Sequence, residues 1–111
     1  MTQTDEEFRK RKADLLKQES LQPEGWWWLS FCNPDLPTGS QFLGACIVRA
    51  RGLLGACATA HFFSCNPGGE VQGLGPVPFG GKRDAVLRRW SNRLLSKTEC
   101  ETFDREMKEN T

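Results

Sequence analysis

Two stretches limit what this chain can fold into: Trp26-Trp27-Trp28-Leu29-Ser30-Phe31-Cys32, and Gln41-Phe42-Leu43-Gly44-Ala45-Cys46-Ile47-Val48-Arg49. They alone are dense enough in aromatic and β-branched residues to read as strands. The first alternates Trp27, Leu29 and Phe31 with Trp26, Trp28 and Ser30, and the Trp27 side reads as ordinary core. The second is apolar on both sides, with Leu43, Ala45 and Ile47 against Phe42, Cys46 and Val48. A strand with two apolar faces needs cover on both sides of its sheet. The Trp26/Trp28 face sets two indoles beside a hydroxyl, and an indole N–H wants an acceptor when buried. That face is a second packed layer, a subunit interface or a stacking wall for a planar ligand.

The remaining segments are helix, turn or charged surface built against these strands. Thr4 caps a helix over Thr4–Gln18, with Glu7 completing a capping box, and Gln22-Pro23-Glu24-Gly25 breaks the chain. Phe8, Leu15 and Leu16 make only a thin apolar stripe on that helix. Residues 1–24 therefore read as an amphipathic helix and linker, and 25–111 as a single α+β domain. Asn33–Ser40 is turn chemistry, too long for a two-residue hairpin. Gly52–Ser64 reads as a helix stopped by an αL cap at Asn66-Pro67-Gly68-Gly69, and Glu70–Leu74 as a short third strand. A hairpin followed by strand–helix–strand predicts a small three-stranded sheet flanked by helices. Strand one lies in the middle, and strands two and three run parallel on either side of it. Gly75–Lys82 reads as a loop. Val86, Leu87, Trp90 and Leu94 predict a short helix within Asp84–Leu95. Ser96-Lys97-Thr98-Glu99 is a second capping box, opening a helix that carries Cys100, Phe103 and Met107.

Fifteen Lys and Arg against fourteen Asp and Glu leave a net charge of +1, which excludes a general nucleic-acid binder. The basic residues gather at Arg9–Lys12 and Lys82–Arg93. Five cysteines, an odd set without a C-x-x-C pair, point to free thiols in a reducing cytoplasm. The polar, acidic N-terminus is no signal peptide, and no stretch approaches the roughly 20 apolar residues that span a bilayer. The expected location is cytoplasmic, with no membrane partner.

Trp26-Trp27-Trp28-Leu29-Ser30-Phe31, Gln41-Phe42-Leu43-Gly44 and Asn66-Pro67-Gly68-Gly69-Glu70-Val71-Gln72-Gly73, with Asn92-Arg93-Leu94-Leu95-Ser96, resemble a family of short uncharacterised proteins of bacteria and their phages. The likeness spans residues 26–107 and implies a phage-type context, hence the host cytoplasm. It brings no activity with it.

Cys57-x-x-x-His61-x-x-x-Cys65 is the sole metal-like spacing, but it lacks a fourth ligand and a tight knuckle, so no metal is expected. As a nucleophile pair, Cys57 and His61 lack an orienting acid and an oxyanion loop, so no catalysis is expected either. Glu70 has no second carboxylate for glycosidase chemistry. Asn66-Pro67-Gly68-Gly69-Glu70-Val71-Gln72 offers glycine amides to an anion, and its bland alternative is a cap and turn. Together with two indoles and several arginines it suggests a site. Trp26 or Trp28 would stack, Asn66, Gly68 and Gly69 would hold an anion, Gln72 would read an edge, and Arg88, Arg89 and Arg93 would bind phosphate. The expectation is a non-catalytic protein, without cofactor, binding a small anionic nucleotide-like ligand (a signalling nucleotide to be sequestered) at a homo-oligomer interface. The alternative is a protein-interaction module, or an inhibitor of a host protein, acting through the Trp face or the N-terminal helix.

Overall fold

A computed structural model describes residues 4–110 of the chain. The element order is α1 (Asp5–Glu19), β1 (Gly25–Cys32), β2 (Phe42–Ala50), α2 (Leu53–Phe62), β3 (Glu70–Val77), α3 (Asp84–Trp90) and α4 (Lys97–Glu109). The sheet order is β2-β1-β3, and β1 is antiparallel to both neighbours. The expected α+β sheet, with strand one central and its neighbours parallel to each other, is the one observed.

Because β1 and β2 are apolar on both sides, the sheet carries a helical layer on each. On one side Leu29, Phe31, Cys46 and Val48 are sealed by Ala56 and Ala60 of α2 and by Cys65, with Trp27 at the margin. Alanines on the inner face of α2 let that helix lie close to the strands. On the other side Trp26 and Ile47 pack under Val86 and Leu87 of α3, Leu95, and Phe103 of α4. Leu29, Phe31, Ile47 and Val48 are each 0–1% exposed. Burying a side chain of this kind is worth about 1.5–3 kcal/mol. The face bearing Trp26 and Trp28 is thus the second packed layer.

Both capping boxes form. Thr4 Oγ1 accepts from the Glu7 amide at 3.2 Å, and Ser96 Oγ accepts from the Glu99 amide at 3.2 Å, with each glutamate returning a bond to its cap. Three boundaries differ from expectation. First, α2 stops at Phe62, before the Asn-Pro-Gly-Gly segment. Ser64 takes the left-handed conformation at φ 58°; its amide donates to the His61 carbonyl, and the Cys65 amide donates to the Ala60 carbonyl. These are the two bonds of a Schellman cap, closed by contact of buried Cys65 with Ala60.

Second, β3 runs on through the expected loop to Val77, which pairs with Trp26 after an irregularity opposite Trp27. Third, α3 ends at Trp90. The chain then extends along the outer edge of β2, where the Asn92 amide donates to the Ile47 carbonyl at 2.8 Å and Leu95 pairs with Ala45 in both directions. One edge of the sheet is therefore closed by residues 92–95. The outer edge of β3 has no such cover: among the described residues its backbone is hydrogen-bonded to β1 alone.

The N-terminal helix buries none of its residues, yet it is fastened at its end. Gly52 provides no side-chain cap for α2. Glu19 supplies one instead, its Oε2 accepting from the Leu54 amide at 2.9 Å and its Oε1 from the Gly55 amide at 3.0 Å. A Cβ at residue 52 would collide with this carboxylate, so the close approach requires glycine there. Arg51 adds a second tie, donating to the Gln22 carbonyl at 2.7 Å.

Candidate binding site

Trp28 is the pivot of the concave surface. Its half-buried indole stacks on Phe103 of α4, with centroids 5.4 Å apart and planes inclined by 19°. The register places Trp28 between Ile47 of β2 and Leu74 of β3, so all three side chains share the α3/α4 side of the sheet. A cleft of about 440 Å³ opens there, walled by Trp28, Leu74, Val77, Leu87, Phe103 and Met107. It runs from the helical layer out to the uncovered edge strand. A second, shallower groove of about 500 Å³ lies on the other side of Trp28, where Ser30, Gln41 and Phe42 face Lys97, Glu101 and Asp104 of α4.

The electrostatics of this surface do not favour an anion. The groove sets two carboxylates against one ammonium, and the cleft is almost wholly apolar. The three arginines expected to hold phosphate are engaged elsewhere. Arg88 pairs with Asp84 at 2.8 Å, Arg89 with Glu106, and Arg93 with Glu99 at 3.3 Å while lying 4.6 Å over the Trp90 ring. Their partners respond. Hydrogen bonds to Trp26, Gly80 and Arg88 hold Asp84 down to about 2. The Trp90 N–H and Arg89 lower the pKa of Glu106, and the bond to the Ser96 amide lowers that of Glu99.

The remaining predicted residues are dispersed as well. Trp26 is 2% exposed, donates its indole N–H to Asp84 Oδ1 at 2.9 Å, and is flanked by the edge of Phe79 and the guanidinium of Arg49. It has no open ring face to stack a ligand. Asn66 Oδ1 accepts from the Gly68 amide at 2.9 Å, a local turn that occupies one of the donors expected to meet an anion. Gly69, at φ +76°, is pressed against the Cys32 carbonyl, so glycine there serves chain packing. This turn lies by Cys32, whereas Asp84 and Arg88 lie by Trp26, at the opposite end of β1 and about 20 Å away by strand rise. Of the predicted set, the structure brings Gln72 to the face of Trp28, joins Asn66 to Gly68 in their own turn and sets Trp26 and Arg88 on the carboxylate of Asp84, but it does not gather these pieces into one site. Gln72 is exposed on β3 opposite Ser30, one position along the same face from Trp28.

Cys57 and His61 stand one turn apart on α2. Among the described residues no three His, Cys, Asp or Glu side chains converge as metal ligands. Burial raises the pKa of the Cys57 thiol, and the nearby Glu19 carboxylate raises it further, the opposite of what a thiolate nucleophile requires. Cys46 and Cys65 are buried in the core beneath α2, and desolvation likewise raises both thiols.

Sequence reasoning missed Leu74, Leu87, Val77 and the partnership of Phe103 with Trp28. The spacing of Phe103 and Met107 marked them as the inner face of a helix without saying which strand they would meet. Leu74 was legible as a strand residue, but not as one on an uncovered edge. No protein-family model, curated protein or solved structure matches this chain.

Proposed function

We propose that the protein is a non-catalytic interaction module that receives an extended, apolar segment of a partner protein along β3. The observation that carries this reading is the inequality of the two sheet edges: β2 is closed by residues 92–95, and β3 is open beside an apolar cleft. An added strand would satisfy the outward backbone groups of β3, and alternate side chains would enter the cleft beside Trp28 and Phe103. Leu74, Val77 and Val71 are 66%, 49% and 39% exposed along this strand. Edge strands are ordinarily kept apart by charge, yet none falls between Glu70 and Lys82.

This reading replaces phosphate recognition with main-chain pairing and apolar burial. It requires no arginine. The test is a displayed library of short random peptides panned against the full chain, with a Gln72→Lys/Leu74→Lys variant as counter-selector. Enriched peptides with alternating apolar residues, whose binding slows amide exchange in Val71–Gly75, are the expected result. Enrichment that survives on the variant, or that leaves β3 exchange unchanged, contradicts it.

A further inference from the structure

We infer that the strand received by β3 is β3 of a second copy of this chain, so that two three-stranded sheets join edge to edge. This rests on the strand-addition reading above and commits it to a partner.

The edge suits itself. An antiparallel pair about a twofold axis near Gly73 sets Val71 opposite Gly75 of the partner subunit, and Gln72 opposite Leu74 of the partner subunit. Directly opposite residues share a face. Leu74 and Gln72 both project to the Trp28 side, through their pairing with Trp28 and Ser30. The two Leu74 side chains then become diagonal neighbours on that face, where each is otherwise 66% exposed. Since Leu74 walls the cleft, Leu74 of the partner subunit extends that wall, and each cleft is completed by the other chain. Pro76 has no N–H to give, which ends pairing at Gly75, and this register uses Val71–Gly75.

Charge points the same way. The eleven residues from Val71 to Gly81 carry none, so nothing repels an identical strand. Glu70 stands at one end and Lys82 beyond the other, and antiparallel pairing brings each towards its opposite on the second copy. With a net charge of +1, two chains approach without appreciable global repulsion. A foreign strand would need its own complementarity, whereas the second copy has it by symmetry.

The experiment is sedimentation velocity of the full chain over a concentration series, with amide exchange read at low and high concentration. The expected result is a species of twice the 12.5 kDa chain mass, together with slowing of Gly73 and Gly75 exchange as concentration rises. Leu74→Lys, and separately Gln72→Lys in case the first fails to fold, should weaken association about tenfold or more with unchanged circular dichroism. A chain that stays monomeric at every concentration overturns the inference, as does a dimer indifferent to both variants. The strand-addition reading then stands or falls separately: library peptides that protect β3 of the monomer preserve it, and their absence removes both.

Discussion

The Glu19 carboxylate caps α2 from another element, its two oxygens 2.9 and 3.0 Å from the amides of Leu54 and Gly55. It meets the positive end of the helix dipole where Gly52 offers no oxygen of its own. Glu19→Ala should therefore destabilise the protein by about 1–2 kcal/mol in urea unfolding. It should also speed amide exchange throughout α1, which buries no residue of its own. Gly52→Ala should have the same effect on α1 by expelling the carboxylate. Unchanged α1 exchange in both variants would show that Glu19 does not hold the helix.

Ser64 supplies a second prediction. Its left-handed conformation closes the Schellman cap, at a cost of about 1–2 kcal/mol for a residue with a Cβ. Ser64→Gly removes that strain while restoring unfolded-chain entropy, so it should raise stability by up to about 1 kcal/mol. Thermal unfolding checks the sign, and a loss of stability would contradict the assigned cap.

The tryptophans of β1 differ in a measurable way. Trp26 donates to Asp84 at 2.9 Å, whereas the buried N–H of Trp27 has no acceptor among the described residues. Trp26→Phe should cost more than Trp27→Phe in urea unfolding at constant m-value, by about 1–3 kcal/mol. Equal costs would mean the Trp26–Asp84 bond contributes nothing net.

Acid titration probes the same bond. Asp84 has its pKa lowered from 3.8 to about 2, chiefly by the Trp26 N–H and then by Gly80 and Arg88. A carboxylate whose folded pKa is depressed contributes stability that is complete above its unfolded pKa and fades as pH falls through the folded one. The contribution of Asp84 should therefore be full above about pH 4 and disappear towards pH 2. Asp84→Asn should flatten that part of the stability profile, as measured by denaturant midpoints across this pH range.

Much of the fold was legible because local and tertiary signals agreed. Two strands apolar on both faces required helices on both sides of the sheet, and the Thr4 and Ser96 boxes marked two helix starts to within a residue. The segment after Leu74 was misread because Gly75 and Pro76 are turn residues by composition, yet Trp26 still pairs with Val77 beyond them. The end of α2 was placed too late because its cap is a serine without a glycine signature. For the site, residue type suggested that indoles, glycines and arginines would converge, but type carries no distance. Strand register sets the Gly69 turn and the Arg88 pair at opposite ends of β1, and acidic partners on α3 and α4 take up all three arginines. Glu19 as a cap for α2 left no trace in the sequence, since a carboxylate at a helix end is unremarkable until another helix start lies beside it.

The most direct test of the central claim is amide exchange along β3, residue by residue, with binding to the edge switched on and off. The account predicts that Gly73 and Gly75, whose backbone faces the open edge, exchange faster in a monomeric Leu74→Lys chain than in the associated wild type, while the Ala45 and Leu95 amides, bonded to each other on the covered edge, stay slow in both. Slow exchange along β3 in the monomer, or protection on association that bypasses β3, would contradict it.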